Sequence, residues 1–260
     1  MNDLAGKLKI IDCRGASRII VVGDIHGDYE AFRGAVKLFN PDRDVIVFLG
    51  DYADRGDMGV EVIEGVNDLI ENYGDRVVAL KGNHEDYRDG EPYFQPCTLI
   101  FEADVKRGGW SNYYNSFLKR FIGRLPIAAI YDGILFVHGG ISSKIRSLKD
   151  LEDPTPEVEE DVLWSDPWGG FGEHPNFRGA GILFGVDVSE SVCRALNVNY
   201  IVRSHEPRKA LDGPYVEHDG RVITVSTTRI YGGRPFILSI PTENTPKNGY
   251  ELMNYVVIID

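Results

Sequence analysis

Cysteine is scarce in this chain, and basic residues are outnumbered by acidic ones. The three cysteines, Cys13, Cys97 and Cys193, are far apart and form no Cys-x-x-Cys pair, which argues against a disulfide framework and against a thiolate metal site. The 28 Lys and Arg residues against 40 Asp and Glu residues give a net charge of −12, and such a surface repels nucleic acid and anionic lipid. We therefore expect no nucleic-acid partner and no membrane partner.

Long apolar runs are also missing. No stretch approaches the roughly 18 residues of a membrane span, and the N-terminal segment MNDLAGKLKIIDC has no apolar core of the signal-peptide kind. Together with the odd cysteine count, this predicts a protein of the reducing cytoplasm. At 260 residues and 43% hydrophobic composition, the chain can bury a large core, and it shows no repeat or linker. We expect a monomer with one domain over residues 1–260.

The first third of the chain alternates strand and helix patterns. Continuous apolar runs over 18–22, 44–49 and 76–80 predict three buried strands. Asp28 can cap a helix between the first two, and a second helix can end at Gly74. The residues of that second helix expected to face the core are Val62, Val66, Leu69, Ile70 and Tyr73. This is a βαβαβ unit, and in parallel sheets ligands gather beyond the carboxyl ends of the strands.

The rest of the chain changes character. Residues 86–125 are rich in aromatics without a strand pattern, which suggests a helical cover. Hairpins are predicted over 126–140 and 215–227 because apolar runs flank Asp-Gly turns there. Further strands are expected at YIVRSH, PFILSI and YVVIID. The simplest arrangement is an α/β fold in which two sheets pack on each other with helices outside.

Short motifs rich in aspartate and histidine follow these predicted strands. GDIHG, GDYADRG, GNHE, HGG and RSHEP supply six candidate metal ligands: Asp24, His26, Asp51, Asn83, His138 and His205. We expect Asp51 to bridge two ions, with the first two residues on one ion and the last three on the other. Carboxylate, amide and imidazole donors without thiolate favour two divalent ions, manganese first, with iron or zinc as alternatives. Such a pair clamps the attacking and leaving oxygens of an in-line displacement.

Other residues of these motifs suit the remaining steps of phosphate chemistry. His84 can protonate a leaving alkoxide, and Asp54 can orient its imidazole. Arg55 and Arg178 each offer a planar guanidinium to phosphate oxygens. Tyr231 either lines the cleft or lies in the core.

Structural explanations compete with each of these assignments. Taken alone, GDIHG is as well explained by a glycine turn with a hydrogen-bonded histidine, and the joint occurrence of the motifs decides for a site. His174 and His218 lie in loop and turn contexts and are expected at the surface. Asp166 either orients a ligand histidine or occupies a turn before Pro167. The acidic run 150–162 is a solvated loop or a helix entry.

On these motifs, the chain resembles the PPP family of metal-dependent serine/threonine protein phosphatases, from about Arg18 to Gly233. GDIHG, GDYADRG and GNHE are shared with many metallophosphoesterases, including diadenosine tetraphosphate hydrolases. LPIAAI with HGG, LWSDP, FRGAG followed by LFG, and RSHEP are similar to the eukaryotic-type protein phosphatase branch. The resemblance implies a metallophosphoesterase-type central β-sandwich of two mixed sheets flanked by helices. It also suggests a small catalytic domain of the prokaryotic kind.

The resemblance further implies a function. Phosphoserine and phosphothreonine monoesters of phosphoproteins would be hydrolysed by in-line attack of a metal-bridging hydroxide, with His84 as general acid and no covalent phosphoenzyme. The segment VSTTRIYGG departs from the family's Pro-Asn loop, which leaves the role of Tyr231 and acceptance of phosphotyrosine open. Two alternatives remain. One is a hydrolase of the diadenosine tetraphosphate type, and the other is a non-catalytic phosphoprotein-binding module.

Overall fold

The computed structural model describes residues 7–259, whose strands form two large sheets and two small ones. The strands are β1 Leu8–Ile10, β2 Arg18–Val22, β3 Asp44–Phe48, β4 Val77–Ala79, β5 Tyr87–Arg88, β6 Glu91–Pro92, β7 Ala128–Tyr131, β8 Ile134–Val137, β9 Asp166–Pro167, β10 Glu173–Pro175, β11 Ile182–Phe184, β12 Tyr200–Arg203, β13 Tyr215–Glu217, β14 Val222–Thr224, β15 Phe236–Pro241 and β16 Val256–Ile258. The α-helices are α1 Tyr29–Leu38, α2 Gly59–Tyr73, α3 Leu99–Lys106, α4 Trp110–Tyr113, α5 Lys119–Gly123, α6 Lys149–Glu152, α7 Pro156–Trp164, α8 Val186–Leu196 and α9 Gly249–Leu252.

The two large sheets are both mixed. One has the order β16-β15-β2-β3-β4, and its parallel strands β2, β3 and β4 confirm the βαβαβ prediction. The other has the order β1-β7-β8-β12-β14-β13 and contains both predicted hairpins, β7 with β8 and β13 with β14. The two strands near the end of the chain join the first sheet, because β15 pairs antiparallel with β2. The predicted fold class is therefore confirmed.

Side-chain alternation along the strands explains the layers. In β2, Ile19 and Val21 face the layer between the two sheets, whereas Ile20 and Val22 face α1 and α2. In the second sheet, Leu135 of β8 faces the opposite outer layer with α7 and α8. Full burial of each such aliphatic side chain stabilises the fold by about 1.5–3 kcal/mol. The chain thus folds as helices, sheet, sheet and helices, with the sheet ends exposed for a site.

Helix α1 begins and helix α2 ends where the sequence predicts. One residue of α2 that was predicted to face the core is exposed instead. Asp28 caps α1 by accepting a hydrogen bond from the backbone nitrogen of Ala31 at 3.1 Å, and α2 ends at Gly74 with a positive φ of 52°. Tyr73, however, was expected in the core and is 41% exposed. It lies in the last turn of α2, where its ring packs edge-on against Phe39 with centroids 5.7 Å apart.

The helical cover predicted over 86–125 is confirmed only in part. Residues 99–123 form it from α3, α4, a π-helical turn over Tyr114–Leu118 and α5. Residues 87–92 instead form the short hairpin β5–β6, because Asp89 and Gly90 adopt positive φ and make a tight turn. The acidic run is a helix entry, since Thr155 caps α7 and Pro156 begins it. Among residues 7–259, no helix is both long enough and apolar enough to cross a bilayer.

One predicted surface histidine is buried. His174 is exposed as expected, but the prediction for His218 is wrong, because its residue exposure is 6%. A positive φ of 51° at His218 turns the ring toward α8. Its Nε2–H donates to the Trp168 carbonyl at 3.0 Å, and its Nδ1 lies 2.9 Å from the Ser189 hydroxyl. Packing of the β13–β14 turn on α8 therefore decides the burial.

Candidate metal centre and active-site cleft

The candidate site residues meet where strands of both sheets end. In the first sheet, the site residues lie on the loops that follow β2, β3 and β4. In the second sheet, they lie on the loops that follow β8 and β12. The residues placed there are Asp24, His26, Asp51, Asn83, His84, His138 and His205. All seven are at most 5% exposed. The structure therefore brings together the six predicted metal ligands and the predicted proton donor.

Asp51 lies between two imidazoles. Its Oδ2 is 3.5 Å from His26 Nε2, and its Oδ1 is 3.4 Å from His138 Nε2. One donor atom each from Asp24, Asp51 and His138 lie within 4.8 Å of one another. The side-chain oxygen of Asn83 lies 2.9 Å from His138 Nε2. The carboxylate of Asp51 thus has one oxygen beside each of the two imidazoles.

The three proposed ligand histidines have the same ring nitrogen occupied. His26 Nδ1 donates to the Ala53 carbonyl at 3.1 Å, and His138 Nδ1 donates to the Leu49 carbonyl at 2.9 Å. His205 Nδ1 is paired with Asp166 Oδ1 at 3.1 Å. Hydrogen bonds of this kind fix the tautomer and leave Nε2 as the electron-pair donor.

Burial makes these side chains suitable for binding cations. It lowers the pKa of His26 to about 4 and the pKa of His138 well below its usual value, so both imidazoles are neutral at pH 7. Burial, with the Asp24 and Glu85 carboxylates nearby, raises the pKa of Asp51. Asp24 Oδ2 is buried without a hydrogen-bond partner among the described residues. A cluster of neutral imidazoles, crowded carboxylates and an orphan oxygen fits divalent metal ions.

The backbone at the site is held in an uncommon conformation. Positive φ values occur at His26 (50°), Asp51 (55°), Asp54 (69°), Arg55 (73°) and His205 (69°). Non-glycine residues seldom adopt this region, and such strain concentrates at functional sites. Gly50 has a φ of 103°, and a Cβ there would lie 2.5 Å from the Gly82 nitrogen. The close approach of these two loops needs glycine and sets Asp51 beside the GNHE segment.

His84 is oriented by a buried carboxylate. Its Nδ1 lies 2.8 Å from Asp54 Oδ2, and Asp54 Oδ1 accepts from the backbone nitrogens of Thr98 at 2.6 Å and Leu99 at 2.9 Å. Burial opposes ionisation, but the His84 hydrogen bond and these amides keep the pKa of Asp54 low. A donor atom of His84 also lies within 4.8 Å of donor atoms of His26 and Asp51. Distances alone therefore allow His84 either as proton donor or as ligand.

A cleft of about 1160 Å³ opens over these residues. It is lined by three of the four site histidines, by Asp51 and by Asn83. The other lining residues are Arg55, Pro92, Tyr93, Phe94, Gln95, Trp164, Arg178, Glu206, Pro207, Arg208, Lys209 and Tyr231. The Tyr231 ring lies 5.6 Å from the His26 ring, so the structure places Tyr231 in the cleft rather than in the core. Arg55 Nη2 donates to the Gln95 carbonyl at 3.3 Å. Both predicted phosphate-binding arginines face the same space as His84.

Asp166 connects the two functions of the cleft. Its Oδ1 pairs with His205, and its Oδ2 accepts from Arg178 Nε at 2.6 Å. The fully buried Arg203 donates to Oδ1 at 2.8 Å. Burial alone would raise the pKa of Asp166, but His205, Arg203 and Arg178 lower it far below its usual range. One carboxylate thus orients a proposed metal ligand and a proposed phosphate ligand, which favours the orienting role over the turn role.

Sequence reasoning missed three supporting residues. The Ser204 hydroxyl donates to Asp24 Oδ1, and Glu85 accepts from the backbone nitrogens of Asp51 at 2.9 Å and Gly82 at 2.9 Å. Arg203 ends the strand β12, whose apolar residues predict burial. A usable signal existed, because a charged residue ending an otherwise apolar strand must find a carboxylate inside the protein.

Comparison with known proteins supports the geometric picture. Residues 17–209 match the model of the calcineurin-like phosphoesterase family. The chain is similar to a protein serine/threonine phosphatase from Saccharomyces cerevisiae with similarity to human phosphatase PP5, at 24% identity and a TM-score of 0.76, covering 97% of this chain and 82% of that one. It is also similar to a putative diadenosine tetraphosphatase, at 16% identity and a TM-score of 0.53, covering 92% and 99%.

A third similar structure is the cold-active protein-tyrosine phosphatase of a psychrophile Shewanella, at 16% identity and a TM-score of 0.62, covering 100% of this chain and 85% of that one. At such identities, these three likenesses establish a shared fold. The family match spans well over half of the chain, and the chain therefore belongs to the calcineurin-like phosphoesterases. The resemblance inferred from the motifs is confirmed at this level, and the protein is a phosphoesterase of metal-dependent type.

Proposed function

We propose that this protein is a phosphoprotein phosphatase that hydrolyses phosphoserine and phosphothreonine monoesters. The observation that carries the proposal is that His84, Arg55 and Arg178 line one open cleft with four of the six candidate metal ligands: His26, Asp51, Asn83 and His205. A proton donor and two guanidinium groups thus face the position where metal-dependent chemistry would occur. The motifs around Asp166 and Arg178, LWSDP and FRGAG, are those that resemble protein phosphatases rather than nucleotide hydrolases.

The metal ligands would be Asp24, His26, Asp51, Asn83, His138 and His205. Two divalent ions held there, manganese first with iron or zinc as alternatives, would provide Lewis-acid activation of water and of the phosphate oxygens. The protein itself keeps the imidazoles neutral and fixes their tautomers. It also leaves Asp24 Oδ2 without a hydrogen-bond partner among the described residues, so that this oxygen is available to a metal ion.

The arginines bind and orient the phosphate. Arg178 is anchored through Nε to Asp166, and its Nη1 has no partner among the described residues, so it is free for a phosphate oxygen. Arg55 donates to the Gln95 carbonyl at 3.3 Å and interacts with the Tyr231 hydroxyl, and it has no carboxylate partner in the described part of the chain. Two guanidinium groups on the equatorial oxygens stabilise the charge of the transferring phosphoryl group.

His84 protonates the leaving group. The ester P–O bond breaks as a water oxygen bonds to phosphorus, and the departing serine or threonine alkoxide takes the proton from His84 Nε2. The proton lost by the water restores His84 afterwards. Asp54, ionised and hydrogen-bonded to Nδ1, stabilises the imidazolium form that donates.

A metal-titrated activity panel tests the proposal. Purified protein is stripped of metal, reloaded with manganese, iron or zinc, and assayed on phosphoserine, phosphothreonine and phosphotyrosine peptides and on diadenosine tetraphosphate. We expect phosphate release from the first two peptides at a higher kcat/KM than from the nucleotide. A preference for the nucleotide would identify a dinucleoside polyphosphate hydrolase. Tight phosphopeptide binding without phosphate release would identify a binding module.

A further inference from the structure

A third arginine lines the cleft outside the set assigned to phosphate. Arg208 is exposed, and its guanidinium carbon lies 5.8 Å from the centroid of the Tyr231 ring. Within residues 7–259 it has neither a hydrogen bond nor a carboxylate partner. Its charge therefore faces the cleft uncompensated.

The neighbouring cations differ from Arg208 in this respect. Lys209 is paired with Glu206 at 3.1 Å and with Glu217 at 2.9 Å. Arg178 is paired with Asp166 at 2.6 Å. In a chain of net charge −12, an arginine left unpaired at the edge of the cleft attracts an anionic group of the substrate.

Tyr231 lies close both to the reaction centre and to Arg208. Its ring lies 5.6 Å from the His26 ring and 5.8 Å from the Arg208 guanidinium. These two distances place the Arg208 guanidinium no more than about 11 Å from the His26 ring. Arg55 and Arg178 already supply the two guanidinium groups proposed for the scissile phosphate, so the unpaired Arg208 is available for a second anion.

We infer that Arg208, beside Tyr231, forms a second anion-binding position that gives this protein a preference for phosphopeptides with an acidic residue near the phosphorylated one. The inference rests on the proposed phosphoprotein phosphatase function. An extended peptide advances about 3.3–3.6 Å per residue, so an Asp or Glu within about three residues of the phosphorylated one can reach a group that lies up to about 11 Å away. The position is at the edge of the cleft, so its effect is moderate and sensitive to salt.

The experiment compares matched peptides and matched variants. One phosphoserine peptide carries Asn at the positions flanking phosphoserine, to three residues on either side. Two series replace each Asn in turn, one with Asp and one with Lys. Wild type, Arg208→Gln, Arg208→Glu and the control Arg194→Gln are assayed with manganese, at low and high salt. Arg194 is an exposed arginine of α8 that pairs with Glu190 and does not line the cleft.

We expect wild type to prefer at least one Asp peptide over the Asn peptide by about two- to fivefold in kcat/KM, through KM, and to lose the preference at high salt. Arg208→Gln should bring the Asp-to-Asn ratio close to one. Arg208→Glu should invert it and favour a Lys peptide. Arg194→Gln should keep the wild-type ratio, and circular dichroism would show that all variants are folded.

The outcomes separate this inference from the proposed function. Equal kcat/KM values for Asp and Asn peptides in wild type, or a ratio that survives in Arg208→Gln, overturn the inference and leave the phosphatase function standing. Hydrolysis of p-nitrophenyl phosphate without hydrolysis of any phosphopeptide overturns the function and the inference together. A larger loss of activity in Arg208→Gln on diadenosine tetraphosphate than on the Asp peptides assigns the position to a nucleotide phosphate and also overturns the inference.

Discussion

Asp28 and Arg229 join the start of α1 to the loop that carries Tyr231. Arg229 donates from Nη2 to Asp28 Oδ1 at 2.7 Å and from Nε to Oδ2 at 3.1 Å, and its backbone nitrogen donates to Oδ2 at 2.8 Å. Asp28 follows His26 by two residues, and Tyr231 follows Arg229 by two. The ion pair therefore positions the Tyr231 ring beside the His26 ring, although this loop departs from the family pattern.

Replacing Arg229 with Gln should weaken this anchor and act through Tyr231. We expect kcat/KM for a phosphopeptide to fall by about two- to tenfold, because a misplaced cleft residue reduces correct substrate positioning. The double variant Arg229→Gln/Tyr231→Ala should be no worse than Tyr231→Ala alone, since coupled residues are not additive. Arg33→Gln, on the exposed part of α1, is the control. Fully additive losses in the double variant would show that Arg229 acts independently of Tyr231.

Replacing His84 with Asn separates its two possible roles. If His84 is the proton donor, the variant binds both metals and its kcat falls by about 10²- to 10⁴-fold. Metal content by mass spectrometry and kcat under saturating manganese are the two measurements. An aryl phosphate with a good leaving group should lose less activity than a phosphoserine peptide, because it needs less protonation. Loss of one metal equivalent from the variant would instead make His84 a ligand.

Replacing Asp54 with Asn should reduce turnover less than the His84 variant does. The amide still accepts hydrogen bonds from Thr98 and Leu99, but it no longer carries the charge that favours protonated His84. We expect kcat to fall and the metal content to stay as in wild type. Rates identical to those of wild type would remove Asp54 from the mechanism.

Local sequence patterns predicted most of the site because its motifs directly follow strands. A short apolar run is enough to predict each of the strands β2, β3, β8 and β12. The carboxyl ends of these strands meet at one edge, which brings together Asp24, Asp51, His138 and His205. The tautomer-fixing bonds to the Ala53 and Leu49 carbonyls could not be predicted, because they depend on loop backbone with positive φ. Such conformations override the residue's intrinsic preference.

Contacts between distant parts of the chain were the main features that the sequence could not supply. Asp28 and Arg229 are 201 residues apart, and Asp24 and Ser204 are 180 apart. No periodicity links such pairs. The prediction for His218 is wrong for the same reason. Its turn sequence predicts exposure, but the distant helix α8 packs on the turn and buries the ring. The sequence thus predicted which candidate side chains meet at the site better than which residues hold them in place.

Replacing Asp166 with Asn should weaken metal binding and substrate binding at once. The carboxylate holds His205 Nδ1 and Arg178 Nε, and it neutralises the buried Arg203. Loss of a partner that orients a metal ligand lowers metal affinity by about 10- to 100-fold. We expect that change in a manganese titration, together with a higher KM at saturating metal. A variant with normal metal affinity and raised KM would restrict Asp166 to positioning Arg178.

Alkylating the thiols should leave activity intact, because the reaction needs no cysteine nucleophile. Burial raises the pKa of Cys13, Cys97 and Cys193 to about 11 in each case, with Asp54 adding to the effect at Cys97. At pH 7 these thiols are protonated and react slowly. We expect iodoacetamide at pH 7 to leave the rate of phosphate release unchanged under saturating manganese, and Cys97→Ser, which removes the thiol that the Asp54 charge affects, to match wild type. Inactivation with metal still bound, together with an inactive Cys97→Ser variant, would instead indicate a covalent route through Cys97.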